Sequence, residues 1–450
     1  MALIRLSLVC LMSGSLFGYN VAVVAGALGF LAHDYALTPL DQQMLVTSIL
    51  VGAFAGAMAS GEIAARWGQR RTLLLAGAVF LVVPPLIAVT DGVWQIGALR
   101  ALLGLAVGTV SMVAPLYVAE CVAARRRGAL VSLFQLGVTA GILAAYLVDY
   151  AFTASGDWRV MFACGAVPAV VLWGALAGLP ESPRWLALRG DMEAARAVLV
   201  RLQGVEADPE ELQPAEQTAG RWSDLFSPLV RGVLAMAAGL FLFQNLAGID
   251  GILYYAPDIF LSVGIKAETG AILATVGLGA VNLGATVVAL LIVDRVGRRP
   301  LLIGGCLVMS ASLLTVGLTL GGGDDDALLT LVGLAAYILA FAVSLGPLPY
   351  VLMSEVFPLS VRARGMSLAA ATSWVLNIVV AMTFLLMLDG LGAGTTFLFY
   401  AGVCAVALVF SWAVVPETRG RSLAEIERSL HRGRRLRDLG KPVDEAAAEP

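Results

Sequence analysis

The sequence predicts an all-α membrane protein with twelve transmembrane helices in two pseudo-symmetric six-helix halves. Three observations predict this fold: the composition, the number of long apolar segments, and a set of loop motifs that recurs half a chain apart. Of the 450 residues, 59% are hydrophobic and 14% are charged, whereas soluble domains carry roughly 25% charged residues. A soluble core cannot bury this much apolar surface. The formal net charge of −3 gives no reason to expect nucleic-acid binding.

Twelve segments are apolar over the roughly 20 residues that a spanning helix requires. They lie at 5–27, 43–65, 72–90, 94–119, 129–151, 159–179, 231–256, 269–293, 300–320, 327–353, 366–389 and 394–415. The first segment has the position of a signal peptide, but it contains the polar run FGYN at 17–20 and eleven more spans follow it. We therefore expect it to be a span that is retained.

The arginine distribution predicts that both termini lie in the cytoplasm. With twelve spans, one side of the membrane receives both termini and every even-to-odd connection. That side collects the arginines at 66–71, 125–127 and 295–299, whereas the other side holds little more than Arg159 and Lys266. By the positive-inside rule, the arginine-rich side is cytoplasmic.

One long polar connection divides the chain. The segment 180–230 is predicted to be a cytoplasmic linker with short surface helices, one of them at 191–202. It separates an N-terminal six-helix half at 1–179 from a C-terminal half at 231–415, and residues 416–450 form a cytoplasmic tail.

Three loop motifs recur at a nearly constant spacing, which indicates a duplicated half. A repeat array would have periods of 20–50 residues, but this period is half the chain. Two six-helix halves with a substrate site between them near the midplane are the major facilitator architecture. The matched motifs are GQRR at 68–71 with GRRP at 297–300 (297 − 68 = 229), Glu120 with Glu355 (355 − 120 = 235), and PESPR at 180–184 with PETRG at 416–420 (416 − 180 = 236).

Further motifs indicate one family within this architecture. They are FGYN at 17–20, PESPRW at 180–185, QNLAGIDGILYYAPDIF at 244–260, DRVGRRP at 294–300, GPLPY at 346–350, SEVFPLSVRARG at 354–365 and PETRGRSL at 416–423. On these motifs the sequence resembles the sugar porter family of the major facilitator superfamily over almost its whole length. That family includes bacterial xylose, arabinose, galactose and glucose transporters, facilitative glucose transporters and plant polyol transporters. The resemblance implies uptake of a monosaccharide or polyol across the cytoplasmic membrane by alternating access, either by proton symport or by facilitated diffusion.

Polar and aromatic residues inside the spans are the predicted substrate site, because polar groups within a bilayer are costly and usually functional. Amide side chains suit sugar hydroxyls, since each both donates and accepts hydrogen bonds. On an unbroken helix Gln244 and Asp250 point about 120° apart, so they line one cavity only if the helix bends or unwinds near Gly248 and Gly251. Helix packing is the alternative role. The family resemblance implies substrate contacts at Phe17, Gln135, Gln244, Asn245, Asp250, Tyr254, Asn282, Tyr350, Ser373, Trp374 and Asn377.

The sequence leaves open whether sugar transport is coupled to protons. The residues that bear on this question are Asn20, Arg100 and Asp250. Symporters that the sequence resembles usually carry Asp where this chain has Asn20, so Arg100, the family's partner for that Asp, lacks its usual counter-charge. Asp250 stands where most relatives have Asn, and it is near-equivalent to Asn20 in the repeat (20 + 230 = 250). Asp250 is therefore either the group that binds the proton, or an acceptor for sugar hydroxyls, or both. In the alternative without a proton, Asp250 stays ionised, binds hydroxyls and serves as the counter-charge of Arg100.

The resemblance also implies that charged residues of the cytoplasmic loops latch the inner gate, with simple anchoring of helix ends as the alternative. We expect Glu120 to pair with Arg127, and Glu355 with Arg362 or Arg364. The family usually has an acid or amide at Ala65 and an arginine at Gln69, so we expect the first latch to be the weaker one. The predicted gate residues are Arg66, Glu120, Arg127, Glu181, Arg184, Asp294, Arg295, Arg298, Glu355, Arg362, Arg364, Glu417 and Arg419.

Two other functions fit the same architecture: export of another small polar solute, and a membrane sugar sensor with a transporter fold. A sensor usually needs a long cytoplasmic extension, so the short tail argues for a transporter. Export of another solute is disfavoured by the polar residues of the seventh span. The chain has only two histidines, His33 and His431, and its five cysteines show no CxxC spacing. We therefore expect no enzyme activity, no metal and no cofactor. The expected partners are the sugar, the lipid bilayer and, if transport is coupled, protons, with the protein as a monomer.

Overall fold

The computed structural model describes residues 2–204, 222–262, 268–322, 327–358, 361–421 and 423–439. Within these ranges the chain is helical and contains no strand. The helices are α1 Ala2–Ala22, α2 Val24–Tyr35, α3 Pro39–Trp67, α4 Gln69–Ala88, α5 Val93–Cys121, α6 Ala124–Thr153, α7 Trp158–Ala163, α8 Val167–Ala177, α9 Pro183–Leu188, α10 Met192–Gln203, α11 Arg231–Leu246, α12 Ile249–Tyr254, α13 Ala256–Ser262, α14 Glu268–Val296, α15 Arg298–Gly321, α16 Ala327–Val343, α17 Leu348–Val356, α18 Arg362–Leu391, α19 Ala393–Val414 and α20 Leu423–His431.

Among the described residues, twelve helices or helix pairs are long and apolar enough to cross a membrane, which confirms the predicted all-α fold and its twelve spans. They are Ala2–Tyr35, Pro39–Trp67, Gln69–Ala88, Val93–Cys121, Arg126–Thr153, Trp158–Ala177, Arg231–Tyr254, Thr269–Val293, Arg298–Gly321, Ala327–Val356, Arg364–Leu391 and Ala393–Val414.

Four spans are interrupted rather than continuous. The sixth changes from α7 to α8 just before Pro168, and the tenth changes from α16 to α17 around Pro347, because proline cannot supply the helical N–H. The seventh breaks at Gly248, which has a φ of +86°. The first breaks at Val23, although neither glycine nor proline stands there.

The predicted surface helix of the linker is present as α10, one residue from its expected bounds. The Asp191 carboxylate accepts from the Ala194 N–H at 3.0 Å, which caps the helix N-terminus. Ala195 and Leu199 are buried against α9. The linker residues 205–221, Lys266 and the tail residues 440–450 lie outside the described residues.

Packing divides the chain into two compact units. Unit 1 comprises 1–216, 251–283 and 381–386, and unit 2 comprises 217–250, 284–380 and 387–450. In unit 1 small residues let helices approach closely, as they do in membrane helix pairs generally. A Cβ at Gly52 would lie 1.9 Å from the Ala101 carbonyl oxygen, and one at Gly104 would lie 2.1 Å from that of Ile49. In unit 2, a Cβ at Gly394 in α19 would lie 2.7 Å from the backbone of Gly321 in α15.

Candidate functional site

The interruption of the seventh span creates a polar site in unit 2. Helix α11 ends at Leu246 and α12 begins at Ile249, and the Tyr337 hydroxyl donates to the Ala247 carbonyl at 2.8 Å. A backbone carbonyl that the break leaves exposed is thereby satisfied by a side chain. The seventh span is thus interrupted between Gln244 and Asp250, as the sequence requires if both residues are to face one cavity.

Gly248 makes this interruption possible. Its φ of +86° is a conformation that other residues rarely adopt, and a Cβ there would lie 2.7 Å from the Tyr400 ring. We expect Gly248→Ala to lower the free energy of unfolding by about 2 kcal/mol, from backbone strain and the clash together. Thermal unfolding of the purified protein measures the loss.

The matched control for that substitution is Gly277→Ala. Gly277 lies inside the regular helix α14 and has no atom within 4 Å of its Cβ position, so alanine should leave the stability unchanged or raise it slightly. Equal stability of the two variants would contradict the requirement for glycine at the break.

Hydrogen bonds join the broken span to α18. The Asn377 Nδ2 donates to Asp250 Oδ2 at 2.6 Å, and the Asn245 Nδ2 donates to Ser373 Oγ at 3.0 Å. Since Ser373 and Asn377 are four residues apart, they lie on one face of α18. Two pairs of polar side chains therefore meet between these helices.

Gln244 and Tyr350 connect the same cluster to the broken tenth span. The Gln244 Nε2 donates to the carbonyls of Leu345, at 2.9 Å, and Gly346, at 2.7 Å. The Tyr350 ring meets the Phe241 ring edge-on at 4.9 Å and is 47% exposed. Trp374, next to Ser373 on α18, is half-buried. The predicted residues Gln244, Asn245, Asp250, Tyr350, Ser373 and Asn377 therefore form one group, which we call the polar cluster.

The other predicted substrate residues belong to unit 1. Phe17 packs against Phe134 with 6.4 Å between ring centroids. Gln135 is exposed, whereas Tyr254 and Asn282 are buried. Their predicted roles in substrate binding stay predictions.

Arg100 holds a buried positive charge in unit 1. It is 0% exposed, its Nε donates to the Leu45 carbonyl at 3.1 Å, and its guanidinium carbon lies 5.5 Å from the centroid of the Phe162 ring. Among the described atoms, Nη1 and Nη2 have no hydrogen-bond partner. Asn20 uses its own amide within its helix, donating to the Leu16 carbonyl at 2.9 Å.

Sequence reasoning missed the buried polar residues Asp149 and Gln43. Asp149 in α6 accepts from the Gly26 N–H at 3.2 Å. With its amide oriented to satisfy both groups, Gln43 in α3 donates to the Met382 carbonyl at 3.0 Å and accepts from the Leu386 N–H at 3.2 Å. The signal that could have found both residues is a polar side chain inside or at the end of an apolar segment.

The loop-motif residues of unit 1 gather around two glutamates. The Glu120 carboxylate accepts from the Gln69 Nε2 at 2.7 Å and from the Ser182 hydroxyl. Glu181 accepts from the Arg70 N–H at 2.8 Å, which places its charge at the N-terminus of α4. A carboxylate is favourable there because of the free N–H groups and the helix dipole.

Unit 2 repeats this arrangement with one change. The Glu355 carboxylate accepts from the Arg298 Nη2 at 2.8 Å and from the Thr418 hydroxyl at 2.5 Å. Glu417 accepts from the N–H groups of Arg298 and Arg299, both at 3.1 Å, at the start of α15. The recurring loop motifs therefore build one three-dimensional arrangement twice, with a neutral donor in the first copy and a charged donor in the second.

The two glutamates have partners that the sequence did not predict. Gln69 and Ser182 donate to Glu120, and the Arg127 Nε donates to the Ala119 carbonyl at 2.7 Å. The expected pairs of Glu120 with Arg127, and of Glu355 with Arg362 or Arg364, stay predictions. Glu355 contacts Arg298, and Arg364 is partly buried nearby in the chain. The side chains of Asp294 and Arg362 lie outside the described part of the structure.

The remaining predicted gate residues are exposed. Arg66 pairs with Glu62 at 2.7 Å on an exposed face, so this pair adds little stability. Arg184 and Arg295 are exposed. The Arg419 N–H donates to Glu417 at 2.9 Å.

The neutral donor of the first copy gives a prediction. We expect Gln69→Arg to form an ion pair with Glu120 and to raise the free energy of unfolding by about 1 kcal/mol, because a charged donor hydrogen-bonds a carboxylate more strongly. Thermal unfolding tests this, with Gln69→Arg combined with Glu120→Gln as the control. A gain that persists in the double variant would show that the ion pair is not its source.

Comparisons with known proteins agree with this architecture. The profile of the family described as sugar (and other) transporter matches residues 6–430. The galactose–proton symporter of Escherichia coli strain K12 is 37% identical over 438 residues, covering 95% of this chain and 94% of that protein. The D-xylose transporter of Levilactobacillus brevis is 36% identical over 429 residues, covering 93% and 94%.

A solved structure has the same fold. The xylose transporter XylE from E. coli, in a partially occluded inward-open conformation, matches with a TM-score of 0.80 and 30% identity, over 93% of this chain and 99% of that one. XylE is a proton–xylose symporter of the major facilitator superfamily. These matches confirm the family resemblance drawn from the motifs, and the chain belongs to the sugar transporter family of multi-pass membrane proteins.

Proposed function

We propose that this chain takes up a monosaccharide or polyol across the cytoplasmic membrane by alternating access, coupled to protons. The observation that carries the proposal is the polar cluster, where carboxyl, amide, hydroxyl and phenol groups meet at a broken span. Such groups are costly within a bilayer, and broken helices at the midplane form the substrate sites of many transporters.

The polar cluster has the chemistry that sugar hydroxyls require. The Asp250 carboxylate has acceptor positions beyond the one that Asn377 occupies, and the Asn377 Oδ1 has no hydrogen-bond partner among the described atoms. A sugar hydroxyl can donate to either oxygen. Of the two roles open for Asp250, its place among these amides favours that of hydroxyl acceptor.

Tyr350 complements these polar groups. Its exposed ring offers a flat surface for the apolar face of a sugar ring, while its hydroxyl can hydrogen-bond at the rim. Phe17, Gln135, Tyr254, Asn282 and Trp374 are proposed as further residues that contact the sugar.

The two glutamate-centred arrangements are proposed as latches at the cytoplasmic ends of the two halves, 1–179 and 231–415. Positive-inside asymmetry supports cytoplasmic positions for both termini, the linker and the tail. The protein is proposed to work as a monomer that catalyses no chemical reaction. Its relatives include galactose–proton and arabinose–proton symporters, which favours coupled uptake over sensing or over export of another solute.

Uptake into proteoliposomes tests the function. Labelled glucose, galactose, xylose, arabinose, fructose and mannitol are offered with and without an inward proton gradient. We expect at least one sugar to accumulate above its outside concentration only when the gradient is present. Equilibration that ignores the gradient would instead make the protein a facilitator. Transport of none of the six would contradict the proposal, and parallel assays with organic acids test the exporter alternative.

A further inference from the structure

The carboxyl group of Asp149 is a buried acid that the proposed sugar site does not use. The residue lies in the last turn and a half of α6 and is 0% exposed. Its Oδ2 accepts from the Gly26 N–H at 3.2 Å. Its Oδ1 has no hydrogen-bond partner among the described atoms.

The contact lies at the break in the first span. Gly26 is the third residue of α2, whose first turn leaves N–H groups without intrahelical partners. A Cβ at Gly26 would lie 2.4 Å from the Asp149 Cβ, so only glycine permits this approach. The Asp149 carboxylate of α6 therefore fixes the first turn of α2 through the Gly26 N–H.

The charged and titratable groups on the helices around Asp149 have other partners. On α1, the Tyr19 hydroxyl donates to the Met161 carbonyl at 2.7 Å, and on α5, Arg100 binds the Leu45 carbonyl. On α2, Asp34 lies 3.5 Å from His33 and accepts from Trp158 at 2.8 Å; on α7, Arg159 pairs with Asp91 at 2.8 Å. The hydrogen bond described for the Asp149 carboxyl is thus a single backbone N–H.

That arrangement is sensitive to one proton. An ionised carboxylate with a single donor is costly in a low-dielectric interior, and binding of H⁺ at Oδ1 removes the charge. Protonation also removes the charge-assisted character of the bond to Gly26 and the favourable interaction with the N-terminus of α2. No other covalent bond forms or breaks, and release of H⁺ restores the charge and the hydrogen bond to Gly26.

We propose that Asp149 carries the coupled proton and that its protonation releases the start of α2. Asn20 of the first span cannot titrate, and Gly26 lies six residues, about 9 Å of helix, further along. Asp149 supplies that span with a carboxyl from α6. The inference rests on the proposed function insofar as the proton drives sugar uptake.

Asp149→Asn is the sharpest test, because asparagine keeps the size and can still accept from the Gly26 N–H but cannot titrate. We expect the variant to lose gradient-driven accumulation and to equilibrate sugar only, while exchange of labelled for unlabelled sugar continues. Asp34→Asn, an exposed acid on α2, is the matched control and should accumulate sugar as the wild type does. Wild-type accumulation by Asp149→Asn would overturn the proposal.

A second readout does not depend on sugar. In infrared difference spectra of the protein in liposomes, a carboxylic C=O band should titrate with pH in the wild type and be absent from Asp149→Asn. If that variant does not fold, Gly26→Ala replaces it, and the pH midpoint of the band should move because the carboxyl is displaced. An unchanged midpoint overturns the proposal.

The two proposals fail separately. Sugar uptake by the wild type without an Asp149-dependent band would contradict only the role of Asp149. An Asp149-dependent band in a protein that moves none of the sugars would contradict only the transport proposal.

Discussion

Asp250→Asn should raise the KM for the transported sugar by about 10- to 100-fold. The carboxylate is expected to accept a hydroxyl hydrogen bond, and bonds to charged groups contribute about 1.5–3 kcal/mol. Asparagine keeps the shape, so the loss reports on the charge and its acceptor capacity rather than on packing. Initial rates of sugar exchange over a range of sugar concentrations measure the KM.

The matched control for Asp250 is Asp389→Asn. Asp389 is an exposed acid near the end of the same helix, α18, that carries Asn377, so its replacement should leave the KM unchanged. If Asp250→Asn also changes the KM by less than about twofold, a difference of less than about 0.5 kcal/mol, Asp250 does not bind sugar.

Glu355→Ala should destabilise the protein more than Glu120→Ala. The Arg298 side chain is 12% exposed and would lose its ion pair with Glu355. Breaking a buried ion pair costs about 3–5 kcal/mol, which partial exposure lowers to roughly 3. Removal of Glu120 leaves only the neutral donors Gln69 and Ser182, at a cost of about 1–2 kcal/mol. Thermal unfolding of the detergent-purified variants compares the two losses.

A double variant shows whether the charge is the cause. Glu355→Ala combined with Arg298→Ala should lose less stability than the sum of the single changes, because each single change removes the same ion pair. Equal losses for Glu120→Ala and Glu355→Ala would mean that the charged donor of the second copy is not the source of the asymmetry.

The helices were predictable from the sequence, but not all of their breaks were. Apolar length identified every span, and the glycines at 248 and 251 indicated the interruption of the seventh. The break at Val23 has no local signal, because it accompanies the contact between Gly26 and Asp149, which are 123 residues apart. Tertiary contacts of this kind leave no periodic pattern in the sequence.

The site was predictable in its chemistry rather than in its pairings. The amides and the acid of the seventh span were identified as polar groups in an apolar segment. Glu355 was expected to pair with arginines a few residues away. Its contact with Arg298, 57 residues away in sequence, was not predicted. Asp149 was missed because an acid near the end of a span resembles an interfacial residue.

Counterflow in proteoliposomes tests the central claim, sugar transport by alternating access, most directly. Vesicles loaded with one unlabelled sugar of the panel are diluted into a trace of the same sugar carrying a label. The account predicts a transient accumulation of labelled sugar inside the vesicles above its outside concentration, without any proton gradient. An alternating-access carrier brings labelled sugar in and returns with unlabelled sugar bound, so the two sugars are exchanged. A protein that lets label rise only to equilibrium, or not at all, for every sugar of the panel would contradict it.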